Sequence, residues 1–469
     1  MFVIGCDSFL SLRNVRNGKL GRLLDGLHVL VDPHQLDGSK AVCPEGCTLG
    51  PLVDFDSSKD PSLARLIDDT YTARKAFFDG WTLWIALASS SFRNHPERPL
   101  RRTASLGMAG VRFTRGWLWG AAGSAQRGRR TVADALGRHP AAVEYREMFR
   151  NARPAVVAGF SPEGPREMLL VETARAAGIR TAVMVRSRDN LSAKIHHMPR
   201  ADRYLVWSEA TKSFFLKMYP EVEPEDVVVT GSPQFDRHRD SGFALGREEL
   251  FGRVGLDPAR PLVVYTMATP GLIDLETDIV QHLADAAHAR KFAGGAQLLV
   301  RGHPRMFGSN LPLLAREYDE AKCYPKRGSS PYRSAEHEAH VVRLILEDEP
   351  VHLATLACQD VQVNVCGTMT IDSAIYDKPT VNVYYDIPRA SHGFSVRRFY
   401  ERSDVKEMMA YGASRLARSP EECIALINRY LEDPTLDAAG RRRAREEDCG
   451  PLDGRAGARI AEALKELAA

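Results

Sequence analysis

Short runs of aliphatic and β-branched residues alternate with helical segments along most of this chain, and the alternation stops and restarts near residue 260. Continuously apolar runs of that kind fit strands covered on both faces, the situation of a parallel sheet between two layers of helices. In the first pass, Phe2–Cys6 and His28–Val31 precede a long insertion. Pro154–Gly159, Thr181–Val185, Tyr204–Trp207 and Val227–Gly231 follow it, with helices expected at 166–177 and 209–218. The second pass runs through Leu262–Thr266, Gln297–Arg301, Val361–Val365 and Thr380–Tyr384, with helices expected at 278–290, 350–358 and 369–376. This order predicts an α/β protein of two Rossmann-like, doubly wound domains facing across a cleft. The expected bounds are 1–240 for the first domain, 258–445 for the second and 446–469 for a closing helix. The charged stretch from Arg237 to Arg260 reads as the linker, and Gly231–Asp236 before it as a hinge or cleft floor.

Composition narrows the classes further. The 469 residues carry 63 Lys+Arg against 60 Asp+Glu, a net charge of +3, which argues against a dedicated nucleic-acid binder. No apolar stretch is long enough for a membrane-spanning helix. The opening MFVIGCDSF lacks the basic segment of a signal peptide and reads as a core strand, so a cytoplasmic protein is expected. The eight cysteines show no disulfide rhythm. Cys43 and Cys47 read as reduced thiols, because no second Cys/His pair completes a zinc site. The charge is uneven, however: Arg93–Arg130 holds nine Arg and one Glu, with Trp117 and Trp119 in a glycine-rich setting. That insertion fits a peripheral contact with an anionic membrane at its inner face. It equally fits a solvated insertion whose tryptophans pack on the N-terminal domain. Its apolar periodicity is too poor to define an amphipathic helix.

Ligands of open α/β sheets lie beyond the carboxyl ends of the strands, so the residues there are the candidates. In the second half, Cys366-Gly367-Thr368-Met369-Thr370-Ile371-Asp372 turns from a strand into a helix. Gly367, Thr368 and Thr370 can receive a phosphate, and Asp372 can accept from sugar or ribose hydroxyls. Arg301-Gly302-His303-Pro304-Arg305 ends another strand. Arg301 and Arg305 suit bidentate binding of a diphosphate, and His303 suits phosphate donation or proton transfer. Thr266 opens a small-residue turn, Thr266–Pro270, that lets backbone amides approach a phosphate. In the first half, the polar run after Met184 offers Arg186, Arg188, Asp189, Asn190 and Lys194 to a hydroxylated acceptor. Asp189, His197 and Asp7 are the candidate bases, with Asp189 favoured. No DxD-type acidic pair stands at a strand end, so no metal and no other cofactor are expected.

The succession VRSRDNLSAK, RYLVWSEATK, VVVTGSPQFD, VVYT, LLVRGHPR and GTMTIDSAIYDKPTVNV, with DGRA before the terminal helix, resembles bacterial surface-polysaccharide glycosyltransferases of the GT-B fold. It is similar to the CDP-glycerol glycerophosphotransferase and UDP-N-acetylglucosamine 2-epimerase-like group over about residues 150–465. The resemblance implies a C-terminal domain that holds a nucleotide diphosphate and an N-terminal domain that holds the acceptor. It places Arg301 and His303 at the diphosphate, Thr368 and Thr370 at phosphate, and Asp372, where the family more often has Glu, at ribose or sugar. The family's SWDN appears here as RSRDN, matching Asp189 and Asn190. The expected activity is metal-independent transfer of a sugar or alditol phosphate from a nucleotide donor to a glycan or lipid-linked hydroxyl. The alternatives are a nucleotide-sugar epimerase or hydrolase, and a membrane-docked scaffold that kept the fold without catalysis.

Overall fold

The structure, a computed structural model, describes the chain except residues 8, 41–42, 81–82, 85–86, 88–98, 122, 187–189, 192–194, 240–244, 269–275, 304–313, 325–334, 366 and 387–395. Contacts within the chain divide it into two units, one of residues 1–88, 104–239 and 447–469, the other of residues 89–103 and 240–446.

The first unit is built on seven strands, β1 (Phe2–Cys6), β2 (Leu27–Val31), β3 (Cys47–Pro51), β4 (Val156–Gly159), β5 (Arg180–Met184), β6 (Arg203–Val206) and β7 (Val227–Val229). The second is built on six, β8 (Leu262–Thr266), β9 (Gln297–Arg301), β10 (Ala321–Tyr324), β11 (Val361–Asn364), β12 (Thr380–Val383) and β13 (Ser414–Ala417). Their orders are β3-β2-β1-β4-β5-β6-β7 and β10-β9-β8-β11-β12-β13. Every pair of neighbours is parallel. In both sheets the order reverses beside the unit's first strand, between β1 and β4 and between β8 and β11, which is where a doubly wound sheet opens a binding crevice. The expected fold class of two parallel-sheet α/β halves is the observed one.

The apolar strand residues explain the layering. In the first unit, Val3 and Val157 face a core with Leu169 and Leu170 of the Pro165–Ala176 helix. Val183 and Val206 face another with Phe214 and Phe215 of the Glu209–Met218 helix. In the second, Leu262 and Val264 pack on Leu250, Phe251 and Val254 of the Arg247–Val254 helix. Part of the expected linker is therefore core of the second unit. The helix expected from Pro350 begins much earlier, at Ala335, and carries Pro350 in its interior. Three edge strands, β3, β10 and β13, have no counterpart in the sequence reading. Each is short and partly exposed, so it lacks the continuous apolar run that marks a central strand.

The insertion is helical, contrary to its poor periodicity. Pro99–Ala121 and Ser124–Arg138 are both helices. Gly116 and Gly120 let the first of them lie against the Pro61–Phe78 helix, where added Cβ atoms would come within 2.8 Å of the Thr72 carbonyl oxygen and 2.5 Å of the Ala73 carbonyl oxygen. Arg112 pairs with Asp68 at 2.6 Å and Arg115 with Asp69 at 3.7 Å along the same seam.

The Gly231–Asp236 segment belongs to the first unit. Asp236 caps the terminal helix, Ala456–Ala468, by accepting the amides of Ala456 and Gly457, each at 3.0 Å. That helix packs into the first unit through a backbone-to-backbone contact, since a Cβ on Gly457 would lie 2.1 Å from the Gly18 carbonyl oxygen. Intrinsic propensity alone makes Gly→Ala in a helix favourable by about 1 kcal/mol. Overpacking costs typically ~1–3 kcal/mol and wins here. Gly457→Ala is therefore expected to lower the urea midpoint of the first unit; an unchanged or raised midpoint would contradict this packing.

Candidate functional site

In the first unit, the carboxyl ends of the strands carry a cluster of ionisable groups at the order reversal. The β4 strand ends at Gly159, and the chain turns through Ser161 and Gly164 into the Pro165–Ala176 helix, with Pro165 at its first position. Glu167, in the first turn, is fully buried and accepts the Asp7 amide at 2.6 Å and the Ser161 amide at 2.7 Å. One carboxyl thus ties the chain just past β1 to the chain just past β4. Ser11 reinforces the tie by donating to the Phe160 carbonyl at 3.0 Å and by meeting the Ser161 hydroxyl.

Arg166 beside it gathers three carboxylates from three strand ends. It donates to Asp7 after β1 at 3.0 Å, to Asp32 after β2 at 3.3 Å and to Asp54 beyond β3 at 3.0 Å. The three differ in solvent access, with side-chain exposures of 7%, 15% and 58%. Their electrostatics follow. Arg166 holds the exposed Asp54 below the usual carboxylate range. Burial outweighs the same guanidinium at Asp7 and pushes its carboxyl up to about 6. Burial likewise pushes Glu167 up to about 8, against the lowering effect of its two amide donors. Gly164 makes room for Asp7, because a Cβ there would sit 2.0 Å from the Asp7 Oδ2.

In the second unit, three adjacent strand ends line up in register: Thr266 of β8 stands between Arg301 of β9 and Asn364 of β11. The Thr266 hydroxyl accepts from the Gln362 amide nitrogen at 2.7 Å. Glu276, opening the Glu276–His288 helix, is buried and accepts the Ala268 amide at 2.9 Å and the Tyr265 hydroxyl at 3.0 Å. Burial pushes it up to about 7. His303 lies two residues beyond β9 and is half-buried. Gly367, Thr368 and Asp372 occupy the turn and first turn of the Met369–Ile375 helix, with Thr368 exposed and Asp372 half-buried. A Cβ on Gly367 would meet only the Val365 carbonyl oxygen, at 3.8 Å, so the backbone there is open to close approach.

Two donor-site expectations change. Arg301 is not an uncompensated clamp, because its NH2 nitrogen donates to both oxygens of the buried Asp348 at 2.7 Å and its guanidinium lies 5.1 Å from the Tyr324 ring centre. Among the described residues its buried NH1 nitrogen has no hydrogen-bond partner. Thr370 turns inward instead of toward a phosphate: its hydroxyl donates to Asn382 at 3.1 Å, and Asn382 donates to Ser414 at 2.8 Å. This is a core network linking β12 and β13, which the sequence spacing could not distinguish from a capping threonine.

Of the first unit's candidates, Arg186 pairs with Glu163 and Asn190 is buried. Arg188, Asp189 and Lys194 lie outside the described residues, as does Arg305 of the second unit. His197 is not at a strand end; it is buried against Glu172 at 3.0 Å, and desolvation lowers its pKa. Asp32, Asp54, Arg166 and Glu167 escaped the sequence reading. Their signal was present: Leu30-Val31-Asp32 and Leu52-Val53-Asp54 each end an apolar run in an aspartate, as Ile4-Gly5-Cys6-Asp7 does. Gly164-Pro165-Arg166-Glu167 starts the helix at the reversal. Among the described residues there is no group of three His, Cys, Asp or Glu placed to hold a metal ion, and no helix long and apolar enough to cross a membrane.

No protein-family profile matches the sequence, and no curated protein does. Solved structures do match the fold. The chain is similar to S. aureus MnaA, solved with UDP, at 10% identity and a TM-score of 0.51 over 99% of this chain and 95% of that one. It is similar to the UDP-GlcNAc 2-epimerase of Methanocaldococcus jannaschii at 11% identity and a TM-score of 0.51 over 99% of both chains. Two parallel-sheet α/β units, as in these GT-B-like structures, make up the fold, in agreement with the resemblance of the sequence motifs.

Proposed function

We propose that this protein is an enzyme of nucleotide-activated sugars, a glycosyltransferase-type catalyst that moves a sugar or alditol phosphate from a nucleotide donor to a hydroxyl acceptor in surface-polysaccharide biosynthesis. The observation that carries this reading is Asp7, a carboxyl at the order reversal of the first sheet, pushed up to about 6 by burial while Arg166 keeps it ionisable. Such a group is charged at neutral pH yet basic enough to accept a proton from an attacking hydroxyl. Asp7 thereby replaces Asp189 as the favoured base. As the acceptor oxygen bonds to the anomeric carbon, or to phosphorus for an alditol phosphate, the bond to the leaving nucleotide breaks. The nucleotide departs with that electron pair, and the hydroxyl proton goes to Asp7.

The fold supports a nucleotide donor, since one similar structure holds UDP and another is a UDP-GlcNAc 2-epimerase. In this reading the second unit takes the nucleotide, with Thr266, His303, Gly367 and Thr368 toward the phosphates and Asp372 toward the ribose or sugar. The NH1 edge of Arg301, without a partner among the described residues, adds a donor. Arg186, which pairs with Glu163, is assigned to the acceptor side. In this proposal side chains and amides meet the charge of the leaving phosphate without a metal, and the reaction takes place at the cytoplasmic face.

A specific observation favours a second reading. Asp7 and Glu167, in one cluster, are both pushed upward, to about 6 and about 8, which suits proton removal and return during epimerisation or hydrolysis of a nucleotide sugar. Acceptor dependence separates the two. Incubation of the whole chain with a panel of UDP-, CDP-, GDP-, ADP- and dTDP-activated sugars and CDP-alditols, followed by mass spectrometry, is expected to release nucleotide and form product only when a hydroxyl acceptor is added. Turnover without acceptor would replace transfer by epimerisation or hydrolysis.

The base assignment gives a pH signature. Asp7 acts ionised, so kcat is expected to fall as pH drops below about 6. Asp7→Asn should lose about 10²–10⁴-fold in kcat, with little change in nucleotide affinity, and should lose that acid limb. Wild-type kcat in Asp7→Asn, or an unchanged acid limb, would remove Asp7 from this role.

A further inference from the structure

The described residues expose nine large hydrophobic side chains, and six of them lie on one helix, Pro99–Ala121: Leu100, Met108, Val111, Trp117, Leu118 and Trp119. Their spacing makes a surface. Positions 100, 111 and 118 fall within about 20° of one line of an α-helix, Met108 and Trp119 widen that face on one side, and Trp117 flanks it on the other. The same helix already has a buried face. Ala109, Gly116 and Gly120 are buried and, with Phe113, follow the i, i+4, i+7, i+11 spacing of a packed stripe. The outer row is therefore a second apolar stripe, and Leu100 and Val111 stand 86% and 69% exposed. A scatter of single exposed hydrophobics needs no explanation, whereas a row along one helix does.

Charge identifies the occupant. The helix carries Arg101, Arg102, Arg112 and Arg115 and no acidic residue, and the segment 93–130 holds nine Arg against one Glu. Arg112 and Arg115 are held beside the row by Asp68 and Asp69, and Arg115 also stacks on Trp119, 4.5 Å from its ring centre. A second copy of the chain would set this helix against itself across a two-fold axis, arginines facing arginines with no acid on the helix to answer them. An apolar row rimmed by arginines and tryptophans instead matches the boundary between acyl chains and anionic headgroups.

We propose that the Pro99–Ala121 helix is an in-plane anchor for an anionic lipid surface. Leu100, Met108, Val111 and Leu118 enter the acyl boundary. Trp117 and Trp119 sit at headgroup depth, and the arginines meet lipid phosphates. This anchor stands on the helix alone and does not depend on the nucleotide chemistry proposed above.

The test is co-sedimentation of the full chain with vesicles of phosphatidylcholine alone and of phosphatidylcholine mixed with phosphatidylglycerol, at low and high salt. Binding is expected only with phosphatidylglycerol present, to weaken as salt is raised and to shift tryptophan emission to the blue. Val111→Glu combined with Leu118→Glu should lower the bound fraction at least about tenfold, because two charges would enter the apolar boundary. Both side chains point outward, so the melting temperature should not change; Met108→Asp provides a second variant on the same row. Three results would overturn the proposal. The wild type does not bind phosphatidylglycerol vesicles; or it binds and the folded variants bind equally; or it forms a dimer that the variants dissociate, which would make a second copy the occupant.

Discussion

The buried carboxyl of Glu167 is the constraint on which the first unit's candidate site depends. It accepts one amide from beyond β1 and one from beyond β4, the two strands between which the sheet reverses its order. Each such hydrogen bond contributes ~0.5–1.5 kcal/mol net, and a carboxyl removed from water without partners would be strongly unfavourable. With Glu167 holding the two turns, its neighbour Arg166 reaches Asp7, Asp32 and Asp54 at once. Strand ends separated by many residues in the sequence thus converge on one guanidinium. The three carboxylates differ in solvent access, and burial raises the pKa of the least exposed, Asp7 next to Gly164.

The second unit also buries a Glu in the first turn of a helix, but there it holds a single strand end: Glu276 accepts the Tyr265 hydroxyl of β8 and the Ala268 amide just past it, and is pushed up to about 7. Around it the unit spends its polar groups on structure: Arg301 on Asp348, and Thr370 on Asn382 and, through it, Ser414. Among the described residues the candidates at these strand ends are Thr266, whose hydroxyl already accepts from Gln362, with His303, Gly367, Thr368 and Asp372.

What could be read from the sequence follows from this construction. Central strands are apolar on both faces, so β1, β8 and β9 stand out as uninterrupted runs, and their observed bounds match the expected ones. Edge strands such as β13, Ser414–Ala417, are half exposed and lack that signal. A motif at a strand end shows that a residue is near a crevice but not which way its side chain turns: Thr370 turns to Asn382, and Arg301 spends one nitrogen on Asp348. Asp32, Asp54 and Arg166 are linked only by the folding of three separate strand ends, and no local spacing announces such a cluster. The insertion misled for the opposite reason: its two apolar stripes, one buried and one exposed, blur the single periodicity that marks an ordinary surface helix.

The central claim, that the chain works on a nucleotide-activated donor, is tested most directly by the thermal stability of the intact protein against nucleoside diphosphates. A ligand that binds the native state raises the melting temperature with concentration, by about 2.7 kcal/mol of stabilisation at a hundredfold excess over Kd. UDP, CDP, GDP, ADP and dTDP titrated in parallel are predicted to give a saturable upward shift for at least one of them. No shift with any of the five, up to millimolar concentration, would contradict the account.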